Sequence, residues 1–467
     1  MRLIVGWVFV CVSCIAHTTY GQGLFVVARA GDDAVAGARF RNTEPTGGLS
    51  INAAGQLAFT YEVEATEGLV RGDAVWLRTD EGLTLVAGPE IDGVDRLVAF
   101  APNIPSSLGS QFFLDDDGTI YLMARDDAGA DAIHALRTAG SPGMEIVAQE
   151  GGAAPGGGVF ASLSTFQIQP GGPLHFSATV GGVLGLYLYE GGEVRRVISV
   201  GDSIEGDTVE AIRDTGVDAR GSVYFKATVR SASESFEGLF VNASDSTVLL
   251  AQVEPEAMDA VAAIGSFMVL PRGGVVYEGQ RWFDFGGGSF GASPVVRRIA
   301  VDRSVSTLIS SDSTFEGAVY AGAMALTALG DEGVAVHGSV DRGGPGPEEA
   351  LLSADIDGDP ELLAVVRQPL PGTDHTYNAI SQVAGPDLAN IVVHAFTDEG
   401  DVVDSVTSLG VTEIANAAVL VEHRDLLLVP DTLGLFRSAQ VGRPVSAEGV
   451  PCMFMTDRDS APSIVCG

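Results

Sequence analysis

Asp355, Asp357 and Asp359 alternate around Gly358 in the stretch "ADIDGDPE". Carboxylates at that spacing can wrap Ca²⁺, a hard cation that takes oxygen ligands. A full EF-type loop also needs a bidentate acid further on, and Pro360 interrupts the run, so the competing reading is an acidic turn between two strands. "LDDDG" at 114–118 poses the same choice, and there a hairpin turn accounts for the residues without a metal. His337 and His394 form a further candidate, a pair. Each stands four residues past a turn marker, where Phe59, Phe176, Phe225 and Tyr277 stand in related stretches. Two imidazoles on equivalent strands of neighbouring units would line one site, or else fill core positions that prefer a flat ring. His175 comes one residue earlier and by alternation faces the other way. "GGSFG" at 287–291 matches GxSxG, but a nucleophile elbow needs a strand before it and a helix after it, and this one lies in the Gly-rich "DFGGGSFGAS". The sequence contains no HExxH and no phosphate-binding Gly loop, and its one CxxC, Cys11 to Cys14, falls within the apolar run of residues 1–22. No catalytic residue is therefore assigned, and Ca²⁺ is the one cofactor the residues offer. Asn242 opens an N-x-S sequon, which matters only in a glycosylating host.

Charge narrows the partners. The chain carries 26 basic against 61 acidic residues, a formal net charge of −35. Such a surface repels phosphate backbones and anionic headgroups, which argues against nucleic acid and against charged membranes. Lys226 is the single lysine. The expected partner is an unknown protein or glycan, and the expected state is a monomer.

The two ends read differently from the middle. Residues 1–22 hold Arg2, an apolar run from Leu3 to Ala16 too short to span a bilayer comfortably, and small polar residues after it. That is the pattern of a secretory signal peptide. A lipid on Cys14 is the alternative, with Cys11 rather than an aliphatic residue three positions before it. Either way the chain is expected outside the cell or in the cell envelope, with no other stretch apolar enough to cross a membrane. Export permits a disulfide. Cys452 and Cys466 are the only cysteines after the signal, and they are expected to clip a C-terminal tail, 446–467.

Between those ends one bland unit returns. "INAAGQLAF" at 51–59 is an apolar residue, a turn led by Gly55 and an alternating strand. "LDDDGTIYLMA" (114–124), "IQPGGPLHFSA" (168–178), "VDARGSVYFKA" (217–227) and "VLPRGGVVYEG" (269–279) repeat it, as do "LTALGDEGVAVHG" (326–338) and "VAGPDLANIVVHA" (383–395), with a weaker "VLVEHRDLLLVP" at 419–430. Each reads as a β-hairpin, since such turns need the positive φ that glycine tolerates. After most of them come a "GLF"-like third strand and an "LxxVA"-like fourth, as in "GLFVN" at 238–242 and "TVLLAQ" at 247–252. The stretch 24–40 is a fourth strand and its loop with no first three before it, while 417–438 offers three strands without a convincing fourth. Ring architectures join their last sheet from both chain ends because that removes free edges. The expectation is an all-β fold: a β-propeller of four-stranded blades over 23–445, with eight blades, or seven as the alternative, closed by the N-terminal strand.

"NAAGQLAF" at Asn52–Phe59, with the "GLF"-like and "VA..GD" elements that follow, resembles the choice-of-anchor tandem-repeat proteins of bacterial cell envelopes, whose repeat carries an NxxGxxAF-type signature. The resemblance extends over nearly the whole chain after the signal and is clean only at Asn52. It implies exported β-rich repeats without an established activity, tethered by a C-terminal sorting tail. The end of this chain, "GVPCMFMTDRDSAPSIVCG", has neither the apolar helix nor the basic cluster of such a tail. The function expected from these residues is a non-enzymatic binding or structural module. The alternative is a secreted propeller-type hydrolase, Ca²⁺-dependent if the three aspartates hold the ion.

Overall fold

Apolar and β-branched residues at a period of two, punctuated by glycine turns, fold here into antiparallel strands and nothing else: no helix occurs among the described residues. The computed structural model describes the backbone between Phe25 and Cys466 apart from connecting stretches, the longest being 368–375, 420–435 and 442–451, and side chains within the described stretches from Ala28 to Arg367. The described strands sort in chain order into eight antiparallel sheets. The third is Phe160–Gln167, Leu174–Val180, Val183–Glu190 and Glu193–Ser199. The fourth is Asp207–Val217, Val223–Arg230, Ser235–Ala243 and Ser246–Gln252, with a two-residue strand ahead of it. The fifth runs from Val261–Val269 through Val275–Asp284 and Phe290–Ile299 to Val305–Ser310. The sixth is led by Ala318–Leu329 and Gly333–Asp341.

Successive sheets stack face to face, and alternate residues of one strand serve different neighbours. Tyr277 and Val275 pack toward Leu239 of the fourth sheet, while Val276 between them packs toward Val336 and Leu352 of the sixth. Phe176 and Tyr187 meet Ile133 of the second sheet, and Leu186 and Leu188 meet Phe225 and Phe240 of the fourth. Both faces of these strands are buried, which is why they read as near-continuous apolar runs. The ring closes at the ends of the chain. Phe25–Arg29 pairs with Pro462–Cys466 at the edge of the last sheet, in the order a fourth strand takes, and Ala28 is buried against the cluster of Phe59 and Trp76 in the first sheet. This is a β-propeller closed by its N-terminal strand, as expected.

The partners in that closing sheet differ from those read in the sequence. They are Phe436–Val441, Cys452–Asp457 and Pro462–Cys466, so the segment 446–467, expected to hang beyond a propeller ending at 445, supplies two closing strands. Ala418–Val419, expected to open the eighth hairpin, pairs instead with Val406–Glu413 in the seventh sheet, and 420–435 lies outside the described residues. The cause is register. A short apolar run carries no mark of which sheet will hydrogen-bond it, and proximity along the chain is a poor guide to pairing where the ring closes.

Asn52 shows why the repeat has its signature. Its Oδ1 accepts from the amides of Ala54 (3.1 Å) and Gln56 (3.0 Å), bending the chain into the turn that Gly55 completes at φ 74°. Its Nδ2 donates to the carbonyl of Asp115 in the next sheet's turn (3.2 Å). Asp218 repeats the inner half of this, accepting from Arg220 and Ser222 around Gly221. Asp115 repeats the outer half, accepting from Gly171 of the third sheet's turn at 2.7 Å, and Ala219 donates to Pro271 O of the fifth. An Asn or Asp at this position thus shapes the turn, and at Asn52 and Asp115 the same side chain ties it to its neighbour. Asn52→Ala should destabilise by about 1–3 kcal/mol, since it strands buried backbone groups. Asn52→Asp, which keeps the acceptor and loses the donor, should melt between the two. Equal melting of all three proteins would remove this role.

Candidate functional site

The first strand of each central sheet carries an irregularity at the same height. Pairing with the second strand slips between Leu163 and Phe166 in the third sheet, between Arg213 and Thr215 in the fourth, and between Ile264 and Phe267 in the fifth. The sixth slips at Ala323/Ala325 and the seventh at Ile380/Gln382. A β-bulge leaves residues unpaired and re-aims their side chains. First strands of successive sheets touch one another from the fourth sheet to the seventh, which sets the bulges on the inside of the ring.

Three of these bulges enclose a basin of about 480 Å³. Ser164, Thr165 and Gln167 line it from the third sheet's first strand, with Ser177, Leu184 and Leu186 behind them. Ile212, Arg213, Asp214 and Thr215 come from the fourth sheet, and Ser266 and Phe267 from the fifth. Behind its wall sits Lys226, paired in register with Arg213 and 9% exposed. Its Nζ donates to Asp214 Oδ2 at 2.8 Å, to Gly265 O at 3.1 Å and, more distantly, to Ile264 O at 3.5 Å. One ammonium therefore staples the bulge of the fourth sheet to that of the fifth. Glu278 stands across from the fifth bulge. Burial pushes its carboxyl above the usual range, while the Ser266 amide and the Lys226 charge pull it back. A Cβ at Gly265 would overlap the Glu278 carboxylate where it now lies, so a larger residue there would push that side chain aside. Tyr320 of the sixth sheet buries its hydroxyl without a hydrogen-bond partner among the described atoms, and burial together with Glu278 raises its pKa.

The family model of DUF7453, described as a family of unknown function, matches residues 13–270, more than half of the chain. The chain belongs to the DUF7453 family. No curated protein matches it. Among solved structures, the DUF7453 chain is similar to an oligogalacturonate lyase from Vibrio parahaemolyticus, at 10% identity and TM-score 0.32 over 71% of this chain and 96% of that one. It is also similar to the polysaccharide lyase Uly1, at 9% identity and TM-score 0.36 over 81% and 93%, and to TolB from Acinetobacter baumannii, at 8% and 0.28 over 77% and 81%. Likenesses this loose carry no function across.

The residues singled out in the DUF7453 sequence lie elsewhere. Asp355 ends the strand Glu348–Asp355, exposed and opposite Gly333. Asp357 and Asp359 lie outside the described residues. The carboxylates of 115–117 are engaged by the turns: Asp116 accepts from Ala53 and Asp117 from Thr119. Burial holds Asp115 above the usual carboxyl range against the pull of its two amide donors. His337 and His394 do occupy equivalent positions, each paired just beside the bulge of its sheet. His337 Nε2 lies 2.7 Å from Glu349 Oε1, at hydrogen-bond distance and not in the setting of an apolar filler, and the His394 side chain lies outside the described residues. Ser289 is also outside them, and the strand Phe290–Ile299 follows it where an elbow would need a helix. Asn242 is buried and donates to Thr247 Oγ1, so the folded protein withholds the sequon. Cys452 stands directly opposite Cys466 across their ladder.

Sequence reading missed the basin. Its one visible signal was Lys226, the single lysine, sitting where "VYFKA" breaks an otherwise apolar strand.

Proposed function

We propose that this chain is an exported, eight-bladed propeller that binds rather than transforms its ligand, working outside the cell or in its envelope, with the basin between the third and fifth sheets as the ligand site. The observation that carries this reading is the composition and construction of the basin: donor and acceptor side chains from three consecutive bulges, on backbone held in place by Lys226. Rigid, concave, mostly uncharged surroundings with a few placed polar groups suit recognition. A hydroxyl nucleophile needs a base within hydrogen-bond reach. Lys226 Nζ, behind the basin wall, is engaged as a donor to three oxygens. Residues 1–22 as an export signal and membership among the choice-of-anchor repeat proteins, supported by the Asn52 turn, belong to the same proposal.

The rival is a secreted hydrolase, Ca²⁺-dependent if Asp355, Asp357 and Asp359 hold the ion. Purified protein is expected to show no turnover on ester, phosphate, lactone and glycoside panels, with or without Ca²⁺. Turnover abolished by Asp214→Asn or Asp357→Asn, in protein that melts normally, would establish the rival.

A further inference from the structure

We propose that the basin takes a neutral saccharide, an inference that rests on reading the basin as the ligand site. Ser164, Thr165, Ser177, Thr215 and Ser266 present five hydroxyls, and Gln167 adds an amide. All six groups both donate and accept hydrogen bonds. The ligand that uses such a lining fully carries many groups of the same double character on a compact frame, as a sugar ring does. A peptide backbone or a nucleobase offers fixed donors and fixed acceptors and would satisfy the lining only in part.

Charge selects against the alternatives. An anion would need a cation to meet it; Lys226 is matched by Asp214 and two carbonyls, and the one guanidinium in the lining, Arg213, is mostly exposed to water with Glu237 3.9 Å away. The lining carries the carboxylate of Asp214 and the wall behind it that of Glu278, and the chain as a whole is acidic at −35, so the field at the basin opposes an anionic ligand. A cation would meet in Asp214 a carboxylate whose charge Lys226 already offsets across a 2.8 Å contact. A neutral ligand faces neither cost. Leu184 and Phe267, both partly exposed, supply the apolar patch on which the C–H face of a sugar ring can rest. The volume, about 480 Å³, lies in the range of roughly 300–1,000 Å³ typical of small-ligand sites and accommodates a short oligosaccharide segment.

The test is calorimetry on the full mature chain with maltotriose, cellotriose, xylotriose and N,N′-diacetylchitobiose. Digalacturonate serves as the anionic comparator and Gly-Ser-Gly as the peptide comparator. At least one neutral saccharide is expected to bind at a single site, and Thr165→Val and Ser266→Ala are each expected to weaken it about tenfold with the melting temperature unchanged. Thr165→Val keeps the shape of the side chain, so a failure of folding would not be mistaken for a loss of contact. Absence of binding by all four neutral sugars overturns the inference, as does binding indifferent to both substitutions. Digalacturonate or Gly-Ser-Gly binding in a Thr165-dependent way, with the neutral sugars inert, overturns the saccharide class and leaves the basin as the ligand site. A neutral saccharide that binds and is then cleaved upholds the saccharide inference and overturns the non-enzymatic reading.

Discussion

A chain lacking residues 23–31 should melt on the order of 10 °C below the intact protein and lose cooperativity. Phe25–Arg29 is the edge strand that Pro462–Cys466 hydrogen-bonds, and Ala28 is buried against the first sheet. Deleting it opens the ring, strips a ladder of backbone bonds and bares the edge of Pro462–Cys466, a surface prone to pair with other chains. The loss is worth several kcal/mol in a fold where each kcal/mol moves the midpoint by about 2–4 °C. Melting within a couple of degrees of the intact chain would exclude closure by this strand. The cysteine pair bears on the same sheet. Residues directly opposite in an antiparallel ladder have Cα atoms about 4.5–5.5 Å apart, inside the range that a disulfide spans. Cys452 and Cys466 are so placed, and Cys466 in turn stands opposite Phe25. Thiol labelling of native protein should therefore find both oxidised, and changing both to Ser should lower the melting temperature. If they clipped a loose tail, the double change would leave it untouched. Quantitative labelling of native protein would remove the bond.

Acid should destabilise the protein through two histidines that sequence reading did not mark as a pair. His134 and His175 are 2% and 1% exposed, and no ring nitrogen of either has a hydrogen-bond partner among the described atoms. His134 packs against the ring of Phe100, with centroids 4.6 Å apart. Burial pushes both down from 6.5 to about 4, with Asp126 offsetting part of the effect at His134. The sign follows from proton binding. Between pH 6.5 and about 4 the unfolded chain takes up protons that the folded chain refuses, so stability is whole above 6.5, falls through that window, and falls no further on this account below about 4. A tenfold loss of proton affinity on folding is worth about 1.4 kcal/mol, so each histidine accounts for roughly 3 kcal/mol. Relief of repulsion among the acidic residues acts in the opposite direction over the same range. The informative quantity is therefore the difference between the natural protein and His134→Leu/His175→Leu. The melting temperature of the double variant should stay flatter from pH 7 to 4.5. Parallel curves for the two proteins would show that the histidines are not held neutral.

Several features of this protein were written in its sequence because they depend on neighbours along the chain. The period of two, the positive-φ glycines and the Asn52 turn are local, so the hairpins were legible, and so was a leading strand without partners of its own. Net charge is additive and needs no structure. Tertiary structure alone decided the rest. Phe25 meets Cys466 because a ring brings the chain ends together, and an apolar run of five residues does not encode its pairing partner. A bulge is one or two residues of slippage against a second strand, invisible until both strands are in place, so Ser164, Asp214 and Ser266 looked like ordinary strand residues. Lys226 finds its carboxylate across its own sheet and its carbonyls on the next one, and the histidines owe their neutrality to how closely successive sheets stack. Burial and register arise from contacts between residues far apart in the chain, and in this fold those contacts set both the basin and the closure of the ring.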